Sequence, residues 1–172
     1  MVWTDQIMKN TFGVSLMSKS LEEQKGSAWD IREAIPEDSD NLETCMVSAY
    51  APYQERMGGI RLPPLEVNYS SEIDNFPTWV IESQGNILGG LIMVFEKDEA
   101  SIANIAVDPK SQGQGLGSAL MSFAELKAKE KHYSTLHLAT HVLLNENISL
   151  YQHLGWVEIN RDETTVYFKK AM

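Results

Sequence analysis

Two stretches of this chain combine residue types and spacings that can do chemistry. The first is Val107-Asp108-Pro109-Lys110-Ser111-Gln112-Gly113-Gln114-Gly115-Leu116-Gly117, which joins an apolar run to a helix-patterned segment. Glycines let successive backbone N–H groups turn inward, and the start of a helix adds positive partial charge. Such a loop is an anion cradle, although the same glycines would serve a connection that merely turns the chain. No Gly-Lys-Ser/Thr follows, and the Gly-x-Gly-x-Gly spacing is not Gly-x-Gly-x-x-Gly, so neither a nucleotide triphosphatase loop nor a dinucleotide fold is indicated. The second stretch is Asn145-Glu146-Asn147-Ile148-Ser149-Leu150-Tyr151-Gln152-His153-Leu154-Gly155-Trp156. Asn147 and Tyr151 are four apart, so on a helix an amide and a phenol share one face. Tyr151 read alone also suits a packing residue whose hydroxyl meets a carbonyl, and Gly155 suits a C-cap.

The elements that position these residues follow from periodicity. Trp29, Ile31 and Ile35 suggest a short strand, and Pro36 with Glu37, Asp38, Asp40 and Glu43 opens a helix running to about Tyr50. Gly58, Gly59, Pro63 and Pro64 then break the chain before a second helix from Pro64 to Ile73. Thr78 to Ser83, Ile87 to Phe95 and Ser101 to Val107 read as three antiparallel strands. Leu116, Leu120, Phe123 and Ala124, with Lys127, Lys129 and Lys131 at the far end, predict a helix. A strand from Thr135 to Ala139, a helix from Asn145 to Leu154 and a closing pair, Trp156 to Asn160 and Thr164 to Phe168, complete the order β, α, α, β, β, β, α, β, α, β, β. That order predicts a mixed α/β (α+β) fold: a largely antiparallel, twisted sheet of six to seven strands flanked by about four helices.

Composition narrows the function classes. With 172 residues, 43% of them hydrophobic, the chain holds one domain, expected over 29–172, and residues 1–28 read as an extension outside it. The apolar run Ile87 to Phe95 is about half the roughly 20 residues that cross a bilayer, and no signal peptide is evident, so a cytoplasmic protein is expected. A formal net charge of −10 argues against nucleic acid. The lone Cys45 forms no internal disulfide, and His132, His137, His141 and His153 make no helical His-x-x-x-His pair, so no metal site is expected.

Taken together, the two stretches resemble the GCN5-related N-acetyltransferase (GNAT) superfamily, whose acetyl-CoA loop reads Gln/Arg-x-x-Gly-x-Gly/Ala and is matched by Gln112, Gly115 and Gly117. Val-x-Pro before the loop and Leu-Tyr-x-x-x-Gly-aromatic after it match as well, and the element order agrees over about Trp29 to Phe168. The resemblance implies acetyl-CoA as cosubstrate and transfer of its acetyl group to a primary amine by direct attack. It assigns the pyrophosphate to the backbone N–H groups of Gln112, Gly113, Gln114, Gly115, Leu116, Gly117 and Ser118. The pantetheine arm would pair with Ile105, Ala106 and Val107 like an added strand, with Asn147 bonded to the arm. Tyr151 would protonate the departing thiolate, and an N–H near Val107 would steady the oxyanion. Many relatives carry an asparagine seven positions before this tyrosine, where this chain has Leu144.

On the acceptor side, Tyr50-x-x-Tyr53-x-x-Arg56-x-Gly58, with Pro63-Pro64 and Tyr69, resembles a segment of uncharacterised bacterial members. Tyr53, Arg56 and Tyr69, with Glu55 and Arg61, are expected on an irregular stretch rimming the acyl site, which would equally serve as a solvated loop. Glu99, His141 and Glu55 are the general-base candidates. Asn104 faces away from Ile105 and Val107 by the strand period. The acceptor is a small-molecule or peptide amine. The alternatives are an acyl-CoA-binding or sensing module with little turnover, and a protein lysine or N-terminal acetyltransferase. A homodimer is possible through Trp3, Trp79 or the closing strand pair.

Overall fold

The computed structural model describes residues 29–60 and 62–172. The expected extension over 1–28, with Trp3, and the expected rim residue Arg61 lie outside the described residues. Seven strands and four α-helices follow in the order β1 (Asp30–Glu33), α1 (Ser39–Arg56), α2 (Tyr69–Asn75), β2 (Thr78–Ser83), β3 (Asn86–Phe95), β4 (Ala100–Val107), α3 (Leu116–Glu130), β5 (Thr135–His141), α4 (Asn145–His153), β6 (Val157–Arg161) and β7 (Thr165–Ala171). The strands form one sheet, ordered β1-β2-β3-β4-β5-β7-β6. Every pairing is antiparallel except β4 with β5. The mixed, largely antiparallel sheet flanked by four helices is the fold class that periodicity predicted.

Strand alternation sends apolar side chains to both faces of this sheet, and each face buries its own cluster. On one side Leu91, Met93, Ile102, Ile105, Leu136 and Phe168 pack with Leu120 and Ala124 of α3 and Tyr151 of α4. On the other, Val80, Ile92 and Ala106 pack against Leu42, Met46, Tyr50 and Tyr53 of α1. Helix α1 sits so close to the sheet that a Cβ on Gly90 would lie 2.5 Å from Leu42 Cδ1 and 2.9 Å from Met46 Cε. Glycine at that position is what allows the close approach.

The first helix runs further than its pattern predicts. It continues through Pro52 to Arg56, so the expected end near Tyr50 is corrected. A proline inside a helix removes one N–H and usually ends the element. Here burial holds it, because Tyr50, Tyr53 and Met57 lie on the same face and all pack into the α1 cluster. Trp79, expected as an interface residue, is buried instead with its ring 5.5 Å from that of Phe123. The edge strand β6 does expose apolar side chains, Val157 and Ile159.

Asn104 ties the α1 side together. Its Oδ1 accepts the Tyr50 hydroxyl at 2.8 Å, its Nδ2 donates to the Tyr69 hydroxyl at 3.2 Å, and Tyr69 in turn donates to the Pro64 carbonyl at 2.7 Å. All three side chains are buried. We expect Asn104→Leu to destabilise the fold by about 1–3 kcal/mol, because it removes the hydrogen bonds that a buried amide exchanges with the Tyr50 and Tyr69 hydroxyls. The urea midpoint of the variant checks this, and an unchanged midpoint would show that the network adds nothing to stability.

Candidate active site

Strand β4 positions the site by leaving its neighbour. It pairs with β5 only at Ala100↔Leu136 and Ser101↔His137. Beyond these pairs β4 continues to Val107 and β5 to His141 with no further pairing between them. The opposite edges of both strands stay fully occupied, by β3 and β7. In the β3–β4 ladder Ile102 faces Met93 and Asn104 faces Ile92, so Ala103 is bulged out. A bulge adds twist and bends its strand, which accounts for the divergence of β4 from β5 just past that point. The result is a gap edged by the backbone of Ile105, Ala106 and Val107, a segment with room for an extended chain to add beside it.

The glycine loop stands at the far end of β4. Asp108 bonds the Lys110 N–H through its side chain, a short 3-10 turn covers Pro109–Ser111, and α3 begins at Leu116. Gly113 and Gly115 both have φ +79°, a left-handed conformation that side chains with a Cβ adopt only with strain. The N-cap of α3 is therefore Gly115, which has no side chain to cap the N–H groups of the first turn. That turn also carries no acidic residue, whereas α1 has Asp40 and α4 has Glu146 in theirs. The positive end of α3 is left for an external anion, and nothing lies within 4 Å of where a Gly115 Cβ would stand.

Helix α4 presents Asn147 and Tyr151 on one face, as their spacing predicts, and both are fully buried at 0% exposure. The Tyr151 ring lies 5.6 Å from Phe168 and 6.2 Å from Trp156. Both polar atoms of the Asn147 amide are buried without a hydrogen-bond partner among the described residues. Gln112 Nε2, Thr140 Oγ1 and Trp156 Nε1 share that condition. A buried amide with neither donor nor acceptor satisfied costs a few kcal/mol, so this region is shaped for a polar ligand that supplies both. A pantetheine amide has one of each, and the cradle, the strand edge and Asn147 together fit acetyl-CoA. Leu144, which stands where relatives have asparagine, is buried against the α1 cluster.

The acceptor-side expectations are corrected. Because α1 extends to Arg56, Tyr53 faces the core, and Tyr69 on α2 is bonded inside the Asn104 network, so neither rims a cleft. Arg56 is exposed, bonded to Glu146 Oε1 at 2.9 Å across to α4, with its guanidinium 5.4 Å from the Tyr53 ring centre. Of the base candidates, His141 is buried at the end of β5, where its Nδ1 accepts the Leu143 N–H at 3.1 Å. Burial pushes its pKa down, so the ring is neutral at physiological pH. Glu99 lies in the turn between β3 and β4, with its Oε1 4.0 Å from His137 Nδ1. His137, not among the expected site residues, pairs with Ser101 at the last β4–β5 pair. Strand alternation on β5, together with the pairing of Ser101 and His137, is the signal that places it beside the gap.

The Cys45 sulfur lies beside Asp108 at the start of the glycine loop. Burial above all, and the Asp108 carboxylate next, push its pKa up to about 12, with the Asp108 N–H opposing. A thiol held protonated is a poor nucleophile. We expect the folded protein to be inert to Ellman's reagent at pH 8 and to release one equivalent of thionitrobenzoate on unfolding. Rapid reaction in the folded state would show that the thiol is accessible.

Comparison with known proteins agrees with this geometry. Residues 74–158, spanning β2 to the start of β6, match the family model described as an acetyltransferase (GNAT) domain. The uncharacterized N-acetyltransferase YjgM of Escherichia coli K12 is 31% identical over 86 residues, 48% of this chain and 52% of that protein. The [ribosomal protein bS18]-alanine N-acetyltransferase of the same organism is 32% identical over 89 residues, 52% of this chain and 60% of that protein. The chain thus spans little more than half the length of the curated relatives it matches. The crystal structure of PaiA N-acetyltransferase from Thermoplasma acidophilum, in complex with coenzyme A, superposes with a TM-score of 0.72 at 16% identity. It covers 84% of this chain and 99% of that one. Sheet order, a glycine-capped helix at the end of a diverging strand and the matched sequence stretch agree on one assignment: the chain carries a GNAT acetyltransferase domain over residues 74–158.

Proposed function

We propose that this chain transfers the acetyl group of acetyl-CoA to a primary amine by direct attack in a ternary complex. The observation that carries the reading is the buried, partnerless amide of Asn147, one helical turn from Tyr151 on α4. The N–H groups of 112–118 receive the pyrophosphate, and the edge of Ile105 to Val107 takes the pantetheine arm. Tyr151 donates its proton to the sulfur as the C–S bond breaks. A backbone N–H near Val107 holds the developing oxyanion. The high pKa of Cys45 supports direct attack over an acetylated cysteine.

The relatives that acetylate an alanine of ribosomal protein bS18 make a protein N-terminal amine the first acceptor to test. The experiment measures CoA release from acetyl-CoA with alanine-leading peptides, lysine peptides, amino acids, polyamines and aminoglycosides. Amine-dependent release is expected. Acetyl-CoA binding with no release to any amine would replace the reading with an acyl-CoA sensor.

A further inference from the structure

Strand β5 ends at His141 and α4 begins at Asn145, so Val142, Leu143 and Leu144 alone join them. The Val142 N–H donates to the Thr164 carbonyl at 3.0 Å. The other two N–H groups of this turn both go to His141: Leu143 donates to its Nδ1 at 3.1 Å and Leu144 to its carbonyl at 3.0 Å. The Leu144 carbonyl in turn accepts the Ile148 N–H at 3.1 Å, at the start of the helix. Leu144 is the N-cap of α4 and gives it no side-chain cap. The Leu143 side chain is 52% exposed, so packing does not fix that residue either. The buried imidazole of His141 supplies the hold that both leucines lack.

We propose that His141 is a positioning residue: by accepting the Leu143 N–H it fixes the turn that sets where α4 begins, and so holds Asn147 and Tyr151 in place. Its effect on turnover rests on the acetyl-transfer reading above. A helix that starts one residue early or late is rotated by about 100°, which would carry the amide and the phenol together off the face they share. Because Nδ1 accepts the Leu143 N–H, the neutral ring carries its proton on Nε2. The Nδ1 lone pair is thus committed to the turn and is not offered to an acceptor amine.

The hold is sensitive to protonation. In the imidazolium both nitrogens are donors, so Nδ1–H would face the Leu143 N–H and the bond would be lost. Charged groups on the adjoining elements are Asp162 and Glu163 before β7, the Arg56–Glu146 pair where α1 meets α4, and Asp108 at the end of β4. His137 is the other imidazole on β5. Burial is what keeps the His141 ring neutral below the ordinary histidine value of 6.5. The bond is therefore present at neutral pH and is lost as pH falls through the lowered value, on the acid side of 6.5.

The test uses the full chain, His141→Asn and His141→Leu. An asparagine oxygen accepts the N–H two residues on, as in an Asx turn, and does not titrate. Leucine keeps bulk without an acceptor. Thermal melts check that each variant folds. His141→Leu should lower kcat about 10- to 100-fold and speed amide exchange across α4. His141→Asn should keep kcat within about threefold at neutral pH, and its acid limb should lie at lower pH than that of the parent. At one acidic pH, α4 amides of the parent should exchange faster than those of His141→Asn. Histidine side-chain nitrogen spectra, assigned by loss of signal in His141→Asn, should place the neutral proton on Nε2. If His141→Leu does not fold, parent against His141→Asn decides alone. Full turnover in folded His141→Leu, an acid limb unmoved in His141→Asn, or a neutral ring protonated on Nδ1 overturns the inference and leaves acetyl transfer standing. No CoA release with any amine, while acetyl-CoA still binds, overturns acetyl transfer alone, because the exchange rates and the proton position still decide the hold on α4.

Discussion

Gly117→Glu is expected to weaken acetyl-CoA binding at least 100-fold by calorimetry, a loss of about 2.7 kcal/mol or more. Gly117 is buried in the first turn of α3, directly after the left-handed Gly115 cap. A glutamate there brings a side chain and a negative charge into the space assigned to the pyrophosphate. On helix stability alone the change is mild, since a carboxylate in a first turn is favoured by about 0.3–1 kcal/mol. The carboxylate would occupy the positive helix end that the cofactor needs. Because Gly117 is buried, some stability is lost as well, so affinity is compared at a temperature where the variant is folded. Gly117→Ala, which adds bulk without charge, should fall between the two. Retained affinity in the folded glutamate variant would place the cofactor elsewhere.

That prediction rests on residues readable before any coordinates, because the chemistry of the loop is local. Glycine spacing, a preceding Val-x-Pro and a following amphipathic run all lie within about twenty residues, and the structure sets the left-handed glycines and the helix start where they were expected. The i, i+4 pair of Asn147 and Tyr151 was legible for the same reason. What was not legible depends on contacts distant in sequence. Tyr53 and Tyr69 look like loop aromatics until α1 is seen to run through Pro52 and Asn104 of β4 is seen to bond Tyr69. The parting of β4 from β5 needs a bulge at Ala103, and no side-chain pattern marks it. The pairing of His137 with Glu99 follows from a parallel register that joins residues 36 positions apart, Ala100 with Leu136 and Ser101 with His137, and that register is a tertiary choice. The glycine loop and the Asn147–Tyr151 pair are local and were readable, while what the sheet register brings together was not.

Tyr151→Phe is expected to lower kcat by about 10²- to 10⁴-fold, the range for loss of a positioned general acid, with acetyl-CoA affinity within about threefold of the parent. The substitution is conservative for packing: the ring keeps its contacts with Phe168 and Trp156, and one oxygen is removed from a fully buried site. The defect should depend on the leaving group. A thioester whose thiol has a low pKa departs without a proton, so an acetylated aryl thiol that still reaches the gap should recover much of the lost rate. Acetyl-CoA itself should not. A defect of equal size for both donors would assign the hydroxyl to positioning, and unchanged kcat would remove Tyr151 from the chemistry while leaving its place in the core.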